Sequence, residues 1–288
     1  MTPCRLGTTI IDELRLCYVT GPVLFEILGS LNLSERIEFS EFYMIRVGNR
    51  YFRHAFHLCC DMENGRRQFA TLHFGRYGDD KSPYVWYRPD NWVLYDEQAL
   101  KYAMTIPTQL GLCFHNITAL DLAKDFRRSV TNLIRRLYRD KSVTTIVNGK
   151  AVRDRNRILP ELHIAYEVSL DRLRNPTFYA KQRKALHDKT KGVCVCAYNK
   201  RAEIEDASDK EYIMDFYGHP QTLHRLEVHL NAAEIRDYCH ARRIAQYPEL
   251  IFDEEFLTEL FCYHLSSVIR FTKGRRRLDW EELLGMQS

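Results

Sequence analysis

Residues 192–206 read GVCVCAYNKRAEIED, and the stretch changes character halfway along. Val193, Val195 and Ala197 alternate with Cys194, Cys196 and Tyr198, the period-2 pattern of a half-buried β-strand. Asn199, Lys200 and Arg201 follow with no Gly or Pro, and then a polar helical run begins. A strand that passes straight into a helix, with a phenol, an amide and an ammonium at the junction, belongs to an α+β chain.

Working outward, the segment 222–231 (TLHRLEVHLN) is a second strand of clean alternation. Leu226, Val228 and Leu230 point one way, and Arg225, Glu227 and His229 the other. A third strand, HNITALDLAKDF at 115–126, places Asp121 on a face shared with Ala119 and Ala123. Asp is depleted from strand interiors, so a mid-strand carboxylate among small neighbours asks for a reason. An ordinary sheet with one wet face accounts for any one of these strands alone. If the three are neighbours, one sheet face gathers a phenol, a Lys, an Arg, two carboxylates and a His. Paired oxygen ligands suit Mg²⁺ or Mn²⁺ working on phosphate. A phenol of ordinary pKa near 10 becomes a nucleophile when a metal and a Lys stabilise its anion, and an Arg holds a phosphate oxygen.

The rest of the chain fits the same class. Residues 8–19, two or three runs within 42–75, and two runs around the turn at Pro89–Asp90–Asn91 read as strands, and VLFEILGSL as a short helix ending at Gly29. Hairpin turns are expected at Asn64–Gly65 and Asn148–Gly149. Residues 97–111 read as a helix and loop, and 176–180 as a strand entry. The helix after Asp121 carries an apolar stripe of Val130, Leu133, Ile134 and Leu137. Helical patterns fill 200–218, 232–244 and 253–273, with Leu257, Leu260, Phe261, Leu265 and Ile269 expected to pack on the sheet. The predicted architecture is α+β: an antiparallel sheet with packed helices over residues 1–231, then a helical segment at 232–288.

Composition sets bounds. Of 288 residues, 45% are hydrophobic and 12% aromatic, enough for a core and against global disorder. The nine cysteines form no C-x-x-C pair and no zinc spacing, which favours reduced, buried thiols in a cytoplasmic protein. No signal sequence is visible, and no apolar run approaches the roughly 20 residues that span a bilayer. The net charge of +4 is mild, but its distribution is uneven. Arg127, Arg128, Arg135, Arg136 and Arg139 decorate one helix, and Lys181, Arg183, Lys184, Lys189 and Lys191 precede the Tyr198 strand. Acids concentrate at 203–215 and 249–259. Such a basic middle is either a solvated face or a phosphate-binding surface. Trp86, Tyr87 and Trp92 either stack on unpaired bases or sit in the core, and core is the expectation.

Four motifs in order, ITALDLAKD, NPTFYAKQRK, GVCVCAYNKRAE and HRLEVHL, resemble the replication initiation factor family, over about residues 115–231. The family pattern is a strand ending in Asp, Thr-hydrophobic-Tyr entering a basic loop, Tyr-Asp/Asn-Lys-x-x-Glu, and Arg-x-Glu in a later strand. No His-hydrophobic-His dyad occurs, unlike the initiators and relaxases that hold metal with one. The resemblance implies a rolling-circle initiator that nicks and rejoins DNA at an origin, single-stranded or in a hairpin. Tyr198 would form a 5′-phosphotyrosyl link, with Asn199 beside it and Lys200 and Arg225 steadying the phosphate. Asp121 and Glu227, with Glu203 or His229, would bind Mg²⁺ or Mn²⁺. Lys181, Arg183, Lys184, Arg127, Arg128 and Arg135 would grip the backbone. Host helicase and polymerase, and a second copy of the chain, are the other partners implied. Tyr179 is the rival nucleophile. The competing reading is a DNA- or RNA-binding regulator without catalysis.

Overall fold

A computed structural model describes residues 6–21, 26, 30–39, 41–62, 65–78, 82–153, 162–169, 172–182 and 192–285. In chain order its elements are strands β1 (Thr9–Val19), β2 (Arg36–Glu38), β3 (Tyr43–Val47), β4 (Phe52–Met62), β5 (Gly65–Arg76) and β6 (Tyr84–Pro89), then helix α1 (Glu97–Gln109). Strand β7 (Cys113–Phe126) leads into α2 (Val130–Arg139), followed by β8 (Val143–Val147), β9 (Lys150–Ala151), β10 (Leu162–Ser169), β11 (Arg172–Lys181) and β12 (Cys194–Asn199). Next come α3 (Lys200–Ala207), α4 (Glu211–Phe216), β13 (His224–Asn231), α5 (Ala232–Arg242), α6 (Glu254–Val268), β14 (Ile269–Lys273), β15 (Arg276–Leu278) and α7 (Trp280–Leu284).

The fold is α+β with a large antiparallel sheet. Contacts divide the chain into two units. The first comprises residues 1–11, 121–244 and 250–288. In it β10, β11, β12 and β13 lie in that order as antiparallel neighbours, with the second half of β7 beside β13. A small sheet, β15–β14–β8–β9, completes this unit. Val195, Ala197, Leu226 and Val228 are fully buried on the face that meets α2 and α6, and Thr131 Oγ1 donates to the Ala197 carbonyl at 2.9 Å. The expected boundary at 231/232 falls inside this unit, since α5 and α6 belong to it.

The second unit, residues 12–120 and 245–249, is an antiparallel meander in the order β1–β6–β5–β4–β3–β2. One face, including Phe56, Leu72, Phe74 and Tyr87, is buried against α1, where the Tyr87 hydroxyl donates to the Ala103 carbonyl at 2.7 Å. Strands β1 and β7 each carry residues of both units.

Two junctions need no loop. Asn199 ends β12 and its side chain accepts from the Ala202 N–H at 3.2 Å. Asn231 ends β13 and accepts from the Ala233 N–H at 3.0 Å. Each asparagine is the last strand residue and the cap of the next helix. The expected single helix over 200–218 is two, because Ser208–Lys210 adopts non-helical backbone between α3 and α4. The expected helix over 253–273 stops at Val268, and Ile269 is buried in β14; β-branched Val268 and Ile269 suit the change. The second run around Pro89–Asp90–Asn91 is a 3-10 turn at Asn91–Tyr95, and β10 lies where no strand was predicted. The expected helix before Gly29 and the Asn64 position of its hairpin lie outside the described residues. Among the described residues no helix is long and apolar enough to cross a membrane.

Candidate active site

The register of β12 on β13 opposes Cys194 to His229, Cys196 to Glu227 and Tyr198 to Arg225. Opposed residues share a sheet face, so six polar or sulfur-bearing side chains line one side of this strand pair. Strand β11 adds Tyr179, opposite Cys196, and β7 adds Asp121.

The groups converge. Tyr198 Oη donates to Glu227 Oε2 at 2.9 Å. His229 Nδ1 lies 2.8 Å from Asp121 Oδ2 and 3.7 Å from Glu227 Oε1. Its Nε2 is 3.4 Å from Cys196 Sγ. Glu227 and Cys196 are buried. Burial pushes the Cys196 thiol up to about 12, with Glu227 adding to it. Burial alone would lower the His229 pKa, but hydrogen bonds to Asp121 and Cys196 and the charge of Glu227 outweigh it and raise it well above the ordinary value. The balance favours the protonated ring, which lies between the carboxyl groups of Asp121 and Glu227.

Those charges that hold a proton can hold a metal. Ligand atoms of Cys196, Glu227 and His229 lie within 4.8 Å of one another. With an ion bound, the Asp121 hydrogen bond would hold Nδ1 as the N–H of a neutral ring and leave Nε2 as the ligand nitrogen, the usual role of a carboxylate behind a metal-bound histidine. Above the group lies a cavity of about 350 Å³, also lined by Thr177, Tyr179, Tyr198, Asn199, Glu203 and Asp206. Among the described residues no Lys or Arg lines it.

The expected phosphate clamps point elsewhere. Arg225 is fully buried, and its Nε and a terminal nitrogen donate to the two Asp125 oxygens at 2.8 and 2.6 Å. Asp125 follows Asp121 by four residues on β7, hence on the same face, and it takes the fork that was expected for phosphate. Lys200 is 1% exposed and pairs with Glu203 Oε2 at 2.8 Å; it also lies 5.7 Å from the centre of the Tyr198 ring. Glu203 thus lines the cavity while tied to Lys200, and Asn199 lines it while capping α3.

Sequence reasoning missed Asp125, although its period-2 spacing from Asp121 was legible, and Cys196, which was read as one more inert thiol. Of the expected DNA contacts, Arg127 is exposed and Arg135 half-buried. Arg128 is exposed and donates to the Leu283 carbonyl at 2.7 Å. Lys181 lies 5.4 Å from the Tyr179 ring centre, and Arg183 and Lys184 lie outside the described residues. Tyr87 is core as expected; Trp92 is half-buried, bonded to the Gln68 carbonyl and covered by Arg67.

No protein-family model matches the chain, and a search of curated proteins gives no match either.

Proposed function

We propose that the chain is a DNA nicking-joining enzyme of the rolling-circle initiator kind, with Tyr198 as nucleophile. The observation that carries the reading is the 2.9 Å hydrogen bond from Tyr198 to Glu227 at the floor of an open cavity. The order of motifs resembling the replication initiation factor family supports it. In the forward step Tyr198 Oη passes its proton to Glu227 and bonds to the phosphorus, and the P–O3′ bond breaks. The leaving 3′ oxygen takes up that proton from Glu227 and becomes the hydroxyl that primes synthesis. The reverse attack of that hydroxyl rejoins the strand and returns the phenol. Phosphodiester energy is kept in the tyrosyl ester, so no nucleotide hydrolysis is needed.

The cavity lining supports a cation here. Three of its lining side chains, Glu203, Asp206 and Glu227, are acids, and a divalent ion would offset their repulsion of a phosphate. Glu227 and His229 would hold a divalent ion, with Asp121 orienting His229 and Cys196 as a further donor. Nitrogen and sulfur beside oxygen suit Mn²⁺ better than Mg²⁺. When bound, the ion would stabilise the developing charge on phosphate.

The test uses a labelled single-stranded oligonucleotide carrying a hairpin, with Mn²⁺, resolved on a denaturing gel. The expected result is a covalent protein–DNA band that disappears with Tyr198→Phe or with chelator. A band surviving Tyr198→Phe moves the nucleophile, Tyr179 being the next phenol in the cavity. Binding without any band under Mn²⁺ or Mg²⁺ would leave the non-catalytic regulator as the reading.

A further inference from the structure

The second unit presents an aromatic surface that the nicking site does not use. Cross-strand register places Trp86 opposite both Cys17 and His73, and Arg88 opposite Thr71. These residues occupy the face turned away from the buried Tyr87, Leu72 and Phe56. Phe52 shares the strand parity of Phe56, yet its ring lies against His73 and Trp86 of this face.

The rings make a connected run. Phe52 stacks on His73 at 5.2 Å between ring centres and meets Trp86 at 5.1 Å. Trp86 lies 6.4 Å from Tyr84, and Tyr84 lies 5.0 Å from His115. Tyr84 is 37% exposed and His115 is exposed, so the run opens to solvent at that end. Aromatic rings on a sheet normally go under a helix or another sheet; here Phe52, His73 and Trp86 are half-buried, and Tyr84 and His115 are exposed.

Their surroundings carry positive charge. Arg15 and Arg88 are half exposed and share Glu13, the nearest acid. Arg76 stands opposite Phe52 and is exposed. A neutral sugar would use the rings without needing the arginines. A strand of unpaired nucleotides uses both, its bases stacking on rings and its phosphates meeting guanidinium groups.

The geometry points to a single-stranded nucleic-acid platform on the second unit: bases stack along Phe52, Trp86 and Tyr84 while Arg15, Arg76 and Arg88 hold the phosphates. This goes beyond the nicking reading and stands on different residues.

The test measures anisotropy of a labelled oligodeoxythymidine on Tyr198→Phe protein without divalent metal, so that no chemistry intervenes. Trp86→Ala and Tyr84→Ala are each expected to weaken binding between about 5-fold and about 150-fold, with circular dichroism unchanged. Arg15→Gln and Arg88→Gln, surface changes that spare the fold, are expected to lower the slope of log affinity against log salt by about 0.7 per arginine. An oligouridine arm tells whether RNA or DNA is the better occupant, both being the same chemistry. Affinity unmoved by the ring variants in folded protein, or a salt slope unmoved by the arginine variants, overturns the platform. Because Tyr198 is already Phe, the outcome is independent of whether the nicking reading survives.

Discussion

At the scale of single residues, the Arg225–Asp125 pair is the most consequential contact the strand pattern did not announce. Both side chains are fully buried, and the two charges satisfy one another through a bidentate fork. Removing one partner leaves a buried charge unpaired. Asp125→Asn is therefore expected to cost about 3–5 kcal/mol in urea unfolding, whereas joint replacement by Leu at 125 and Met at 225 should recover most of that. His73 gives a pH prediction. Burial, then repulsion from His57, Arg88 and Arg15, pushes its pKa down to about 4, below the roughly 6.5 of an unfolded chain. As pH falls through that window the unfolded state takes up the proton first, so stability present above about pH 6.5 is lost toward pH 4. His54 and His224 are depressed in the same direction. Urea midpoints across this range should decline with acid, and His73→Gln should flatten the decline. Which side chains share the site face was legible, because alternation alone puts Glu227 and His229 together. Who bonds to whom was not. Arg225 reads the same in sequence whether a phosphate or Asp125 takes its fork, and only the strand order decides.

At the scale of elements, strand and helix meet at single asparagines. The Asn199 side chain accepts from Ala202 N–H and so satisfies one of the donors that a helix start leaves open. Asn199→Ala should cost about 0.5–2 kcal/mol and lower the Tm by on the order of a few degrees, while Asn199→Ser or Asn199→Asp should restore most of it. A thermal melt showing no difference between Ala and Ser would detach the cap from stability. Period-2 strands with one polar face were readable, and so was the stripe of α2, where Val130, Leu133 and Ile134 are buried as expected and Leu137 is half-buried. Less legible were the places where apolar periodicity runs through a change of state. Apolar residues recur from Phe256 to Phe271, yet the run is helix to Val268 and strand from Ile269. Pattern shows burial; pairing with β8 decides the state.

At the scale of the whole molecule, the α+β class was legible and the division into two units was not. Sequence order suggested an extension beginning at 232. Leu260, Phe261 and Leu265 of α6 are instead fully buried, and α6 packs on β12 and β13, the strands that carry Tyr198 and Glu227. A chain truncated after Asn231 is expected to lose its cooperative calorimetric transition and the dispersed methyl signals of a packed core; a folded fragment of that length would restore the sequential boundary.

Thr9 Oγ1 and Thr258 Oγ1 lie 2.8 Å apart, across 249 positions of chain. Gly7 likewise supplies its carbonyl to Lys124 and its N–H to the carbonyl of Asp125. During translation residues 12–120 emerge as one nearly complete unit, able to compact while the ribosome is still reading the rest. The first unit must wait, because its core is closed by α6. A stalled, unfinished polypeptide would therefore display the aromatic sheet long before it could assemble the tyrosine and its glutamate.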